Sequence, residues 1–174
     1  GADRVSTPTV GTKLPELKIY GDPTFIVSTA IATRDYQDVH HDRDKAQAKG
    51  SKDIFVNILT DTGLVQRYIT DWAGPNAVIK TIGLRLGVPW YAYDTVTFSG
   101  EVTAIEDGLI TVKVTGSNSL GDHVIATFAG VVAGGLLGPA LFAALLFAAG
   151  RRGGGSNAGS GSSSGSLLVD GAGL

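Results

Sequence analysis

The feature that most constrains the fold is a single amphipathic run followed only by β-type segments. Between Ile54 and Trp72 the apolar residues Phe55, Ile58, Leu59, Val65, Ile69 and Trp72 fall mostly at steps of three and four, and Leu64 and Tyr68 widen the stripe. Gly74-Pro75 ends the run, so one long helix with one apolar face is predicted. Residues 77–86, 94–105, 109–117 and 124–128 then read as strands, joined at Glu106-Asp107-Gly108 and at 118–122 by residues suited to tight antiparallel turns. A long amphipathic helix placed before such a meander buries best in the concave face of a curved sheet. The fold class is therefore α+β, a central helix wrapped by a mostly antiparallel sheet.

Upstream of the helix, residues 17–20 and 25–33 are rich in β-branched and aromatic side chains. Gly21-Asp22-Pro23 between them has turn chemistry, which predicts two short extended pieces. Residues 42–49 contain the helix formers Lys45, Ala46, Gln47 and Ala48 and stop at Gly50, which predicts one short helix with a left-handed cap.

Composition divides the chain. Of its 174 residues, 129–174 hold 13 of the 25 glycines but only three charged side chains, Arg151, Arg152 and Asp170. The organisation expected is an N-terminal extension at 1–13, a domain at 14–128, an atypical apolar Ala/Gly/Leu-rich segment at 129–152 and a Gly/Ser-rich, disordered tail at 153–174. Nothing between His123 and Arg151 carries a charge, and a span of about 20 apolar residues would cross a bilayer. Gly130, Gly134, Gly135, Gly138 and Pro139 interrupt the stretch, and a short helix over 139–149 is preferred to a membrane anchor.

A net charge of -2 gives no field that would gather nucleic acid or an anionic membrane surface. The absence of cysteine excludes a disulfide framework, a thiolate metal site and a cysteine nucleophile. With no signal-peptide pattern at the front, a cytoplasmic setting is expected.

The densest group of ionisable side chains runs from Arg34 to Asp44 and contains two of the three histidines, His40 and His41. Three readings suit it. It can be a solvated loop in which Asp42 caps the short helix. It can be a metal site, although adjacent histidines point apart and no His-x-x-x-His spacing supports a shared ion. It can also hold an acid/base pair.

Asp35-Tyr36-Gln37-Asp38-Val39-His40 resembles the signature of the MaoC-like dehydratases and (R)-specific enoyl-CoA hydratases, Asp-x-Asn-Pro-x-His, with Gln-Asp in place of Asn-Pro. The short helix and the glycine ten residues after the histidine, Gly50, also keep the family's order, and the resemblance spans about residues 14–128. The stretches beginning at Leu14, Asp38 and Asp53 are similar to the small MaoC-type subunits of bacterial steroid side-chain hydratases. The resemblance implies a hot-dog fold and metal-free, cofactor-free hydration of a steroid enoyl-CoA in cholesterol degradation. His40 would activate water, and Asp35 would orient it and deliver the proton. The family's usual His-Gly element falls on Asn57-Ile58, which implies an oxyanion role for backbone N–H groups there, Ile58 foremost. The resemblance further implies an acyl-CoA substrate and a larger MaoC-type partner with an additional acyl-CoA-binding domain, in a heterotetramer. A general short-chain (R)-enoyl-CoA hydratase homodimer and a non-catalytic hot-dog scaffold are the alternatives. No residues are assigned to coenzyme A.

The remaining residues have plainer readings. Gly63 in mid-helix suggests a close approach of backbone or ligand. Trp72, Trp90, Tyr91 and Tyr93 are expected to seal a core or an interface, His123 to be structural, and Lys52, Arg67, Lys80 and Arg85 to be solvated.

Overall fold

The computed structural model describes residues 7–131. The helix and linker expected over 139–166 lie outside the described residues, as does most of the apolar segment.

Strand β1 (Lys13–Gly21) leads into helix α1 (Pro23–Ala32), a 3-10 turn (Asp38–His40) and helix α2 (Arg43–Ala48). Helix α3 (Ile58–Ala73) is followed by β2 (Val78–Leu86), β3 (Asp94–Glu106), β4 (Leu109–Asn118) and β5 (Gly121–Val131). The strands form one sheet in the order β1-β3-β4-β5-β2 with every pairing antiparallel. Strand β5 runs on through Ala129, Gly130 and Val131, so the first residues of the glycine-rich segment complete the sheet.

Alternation along the strands sets the core. Val96, Phe98 and Val102 of β3, Val112 and Val114 of β4, and Val124, Ala126 and Phe128 of β5 all point inward, as period-2 geometry requires. They meet Leu64, Val65, Tyr68 and Ile69 of α3 in one cluster. Helix α3 touches both edge strands, β1 and β2. A flat five-stranded sheet is roughly 19 Å across, four spacings of about 4.8 Å, nearly twice a helix diameter of about 10 Å. One helix can touch both edges only if the sheet curls around it, which is the wrapped arrangement expected from the sequence.

Three local expectations are corrected. Residues 25–33 are helical rather than extended, because Asp22 Oδ1 accepts the Phe25 N–H at 2.7 Å and Pro23 stands at the first helical position. The threonines that suggested a strand instead bond back along the helix, Thr29 Oγ1 to Phe25 O at 2.8 Å and Thr33 Oγ1 to Thr29 O at 2.8 Å. Ile26 and Ala30, four apart, supply the buried face. The long helix begins at Ile58 rather than Ile54, since Phe55 is held in an isolated bridge to Tyr91. Gly63 is exposed, and a Cβ there would meet nothing within 4 Å, so no close approach explains it.

The short helix α2 is capped as expected: Asp42 Oδ1 accepts the Lys45 N–H at 3.0 Å, and Gly50 follows with φ 87°. Trp90 is fully buried, whereas Tyr93 is exposed beneath Arg43. Among the described residues no helix is long and apolar enough to cross a membrane.

Candidate active site

The end of α1 places Asp35. Arg34 takes a left-handed conformation with φ 57°, the Arg34 N–H bonds Ile31 O at 3.0 Å and the Asp35 N–H bonds Ala30 O at 2.9 Å. This pair of bonds is a Schellman closure with arginine where glycine is usual. The chain reverses and sends the Asp35 side chain toward the start of α3. There Asn57 Nδ2 donates to Asp35 Oδ2 at 3.1 Å, and the Gln37 N–H reaches Asp35 Oδ1 at 3.3 Å.

His40 closes the 3-10 turn and is 6% exposed, its ring edge-on to Phe55 with centroids 4.9 Å apart. His40 Nδ1 lies 2.7 Å from Phe55 O. A carbonyl only accepts, so Nδ1 carries the hydrogen and Nε2 of the neutral ring keeps its lone pair. Nε2 stands 3.4 Å from Asp35 Oδ2. That is too long for a strong direct hydrogen bond but lets one small molecule touch both groups.

Asn57 does more than begin a helix. Its Oδ1 accepts the Thr60 N–H at 2.9 Å as the N-cap of α3, and its Nδ2 donates to Thr33 Oγ1 at 2.8 Å as well as to Asp35. Both amide hydrogens are thereby engaged. Ile58, first residue of α3, has an N–H with no intrahelical acceptor, the kind of donor that meets a developing oxyanion.

Asp35, His40, Asn57 and Ile58 line one cavity of about 360 Å³. The four residues singled out in the sequence are thus brought together. The cavity wall continues through Leu86, Gly87, Val88 and Pro89, the segment after β2. A Cβ on Gly87 would stand 2.2 Å from the Asp122 carbonyl oxygen, so only glycine lets this wall approach β5. His41 points elsewhere, its Nε2 3.9 Å from Asp38 Oδ1. The hydrogen bond from Lys49 lowers the Asp38 carboxyl below its ordinary value, against desolvation and with help from Lys45. Among the described residues no three His, Asp or Glu side chains form a metal-binding group.

The sequence reading missed one feature. His123 lines the same cavity and is buried, with Nε2 3.0 Å from Oδ1 of the fully buried Asp61. Burial pushes the Asp61 carboxyl up, while the bond to His123 opposes that rise. Burial works against charge on His123 too, but the hydrogen bond to Asp61, its carboxylate charge and the Val88 carbonyl outweigh it and raise the imidazole. One proton is held between the two groups. The available signal was a carboxylate on the apolar stripe of α3, between Ile58 and Val65.

A histidine raised in the folded state contributes stability that is complete below its unfolded value and is lost as pH rises through its folded value. Thermal stability is therefore expected to decline above about pH 6.5, the ordinary histidine value. The decline should be steeper in the native chain than in Asp61→Asn, which lacks the carboxylate. Parallel melting curves from about pH 6 to pH 9 would contradict the shared proton.

No protein-family model matches the chain. Over 118 residues, 68% of this chain and 92% of the relative, it is 86% identical to the 3-oxo-4,17-pregnadiene-20-carboxyl-CoA hydratase beta subunit of Mycobacterium tuberculosis. The crystal structure of the ChsH1-ChsH2 complex from the same organism contains a chain that is 80% identical, with a TM-score of 0.71 over 72% of this chain and 99% of that one. The (R)-hydratase of A. caviae involved in PHA biosynthesis shares the fold at 19% identity, with a TM-score of 0.66 over 71% of this chain and 96% of that one. With sequence, topology and cavity in agreement, the chain belongs to the MaoC-like hydratases of hot-dog fold.

Proposed function

We propose that the chain adds water across the α,β double bond of a steroid side-chain enoyl-CoA thioester, as the catalytic subunit of a hetero-oligomer with a larger MaoC-type protein. The observation that carries this reading is the orientation of His40. Its Nδ1 is tied to Phe55 O, and its free Nε2 faces Asp35 inside the cavity. The 86% identity to a hydratase subunit of that specificity supports the substrate.

In this mechanism His40 Nε2 takes a proton from water as the water oxygen bonds to Cβ. The electron pair of the double bond shifts toward the thioester oxygen, where the Ile58 N–H meets the developing charge. The proton crosses from His40 to Asp35, and Asp35 delivers it to Cα as the enolate collapses. Water has then been added in full and the pair is reset. Asn57 holds Asp35 in place throughout. Nothing is oxidised or reduced and both proton movements have a side chain, so the reaction calls for no cofactor.

The partner is supported from two sides. A cavity of about 360 Å³ is near the lower end for small-ligand sites, enough for the reacting thioester but not for a fused-ring system together with coenzyme A. Exposed apolar side chains, Tyr36, Leu59 and Leu86, occur within or directly beside the segments that line it. Such groups suit coverage by a second protein that extends the pocket. A coenzyme A thioester, heavily charged, does not cross a bilayer unaided, which supports a cytoplasmic setting.

The test is loss of enoyl-thioester absorbance with a steroid side-chain enoyl-CoA and with crotonyl-CoA, for the chain alone and mixed with the partner, with and without a chelator. Hydration of the steroid substrate only in the mixture, unchanged by the chelator, is expected. Activity of the chain alone on crotonyl-CoA would replace this reading with a homodimeric short-chain hydratase. Silence in every mixture would leave a scaffold.

A further inference from the structure

Asp61 and His123 are among the most deeply buried polar groups of the described residues, at 0% and 2% exposed, and the mechanism above uses neither. Both ring nitrogens of His123 are occupied, Nε2 by Asp61 Oδ1 and Nδ1 by Val88 O at 2.6 Å, so His123 is not free to act as a base. What it touches is the cavity wall. Gly87 N–H also bonds His123 O at 2.7 Å, and Val88 N–H bonds Asp122 O at 3.1 Å. On the other side, Asp61 N–H bonds Asn57 O at 3.2 Å, and Asn57 holds Asp35. A continuous set of hydrogen bonds thus joins Val88 in the wall to the carboxylate of the acid/base pair.

Burial of an acid in the apolar stripe of α3 is a poor route to stability. An aliphatic side chain would complete the stripe without desolvating a carboxylate, and Asp61 Oδ2 finds no partner among the described residues. We infer that Asp61 and His123 are positioning residues: they brace the wall at Leu86, Gly87, Val88 and Pro89 against the first turns of α3. The brace fixes where the thioester lies relative to Ile58 N–H and the Asp35–His40 pair. This rests on the hydration reading, but the brace itself has a readout that needs no substrate.

Hydrogen exchange of the peptide covering residues 84–91, in the chain assembled with its partner, reports on the wall directly. In Asp61→Leu its amides should exchange at least about tenfold faster while β3 and β4 are unchanged, and Asp61→Asn, which can still bond His123, should recover most of the protection. The rate constant kcat for hydration should follow the same order, falling about tenfold or more in the leucine variant and recovering in the asparagine one, with KM changed less. His123→Gln is the second probe, because its amide reaches Asp61 but not the Val88 carbonyl. It should loosen the same peptide even if Asp61→Leu fails to fold. Unchanged exchange at 84–91 in whichever of these two variants folds would overturn the brace, as would acceleration spread over the whole sheet. A loosened wall with normal kcat would remove its positioning role. Absence of hydration by the native complex would instead count against the function proposed above, leaving the exchange result to decide the brace.

Discussion

Replacing His40 by alanine is expected to lower hydration turnover by at least about 10²-fold, the usual scale for a lost acid/base group, while the fold persists. The ring removed is the one whose Nε2 faces Asp35 and whose Nδ1 is fixed by Phe55 O. Its deletion leaves Phe55 O without its side-chain partner, a local cost of about 1–3 kcal/mol that a domain stable by about 5–15 kcal/mol survives. Asp35→Asn should be comparably inactive for a different reason. The amide fits the space, but it carries no negative charge, and since Asn57 Nδ2 donates to one oxygen of Asp35 and the Gln37 N–H to the other, either orientation of the amide sets its NH2 group against a donor. The combination of both substitutions is the sharper measurement. If the two groups pass one proton between them, removing the second should add little to the loss caused by the first. Losses that multiply would mean two independent roles, and turnover within threefold of native in either single variant would remove the pair from the reaction altogether. Circular dichroism on the same samples separates lost chemistry from lost fold.

How far the sequence could be read depended on how local each determinant is. The stripe of α3 and the alternation of β3, β4 and β5 are periodic over many residues, so the wrapped α+β architecture was legible. Helix α1 was not, because Val27, Thr29 and Thr33 carry β preference on average. Its helical outcome was decided by one cap at Asp22, one proline and the burial of Ile26 and Ala30 against the rest of the domain. The misreading matters for function, since the closure at Arg34 that ends this helix is what aims Asp35 into the cavity.

At the site, resemblance to the MaoC-like signature singled out Asp35 and His40, and alignment with that family through His40 brought in Asn57 and Ile58. Their meeting in one cavity depends on how the end of α1, the 3-10 turn and the start of α3 fold onto one another. Asn57 was expected to lend a backbone N–H; its side chain in fact caps α3 and orients Asp35, which only the fold of α1 toward α3 makes possible. His123 looked isolated because its partner, Asp61, stands 62 positions away on the helix, and no local pattern links the two.

Trp90→Ala is expected to have the largest effect on stability. The indole is fully buried, with Phe25 at 5.6 Å and His123 at 5.7 Å between ring centroids, and Gly21 is so close that a Cβ there would stand 2.6 Å from Nε1. Truncating a side chain of this size in a packed interior costs about 3–5 kcal/mol. Here the Asp94 carbonyl also loses the Nε1 hydrogen bond of 3.1 Å. Against a typical total of about 5–15 kcal/mol this is about a fifth of the stability or more, and the melting temperature should fall by roughly 10–20 °C. The effect reaches the site as well, since the Trp90 backbone carbonyl accepts the Val56 N–H at 3.0 Å and the ring backs His123 behind the cavity wall. Trp90→Phe tests the division of the cost: it keeps much of the volume and loses the hydrogen bond, so it should recover more than half of the loss. Urea unfolding followed by circular dichroism should show a lower midpoint at unchanged slope. A midpoint within experimental error of native for Trp90→Ala would mean that the indole is not the packing centre its burial indicates. Equal losses for alanine and phenylalanine would place the weight on the Asp94 hydrogen bond rather than on volume.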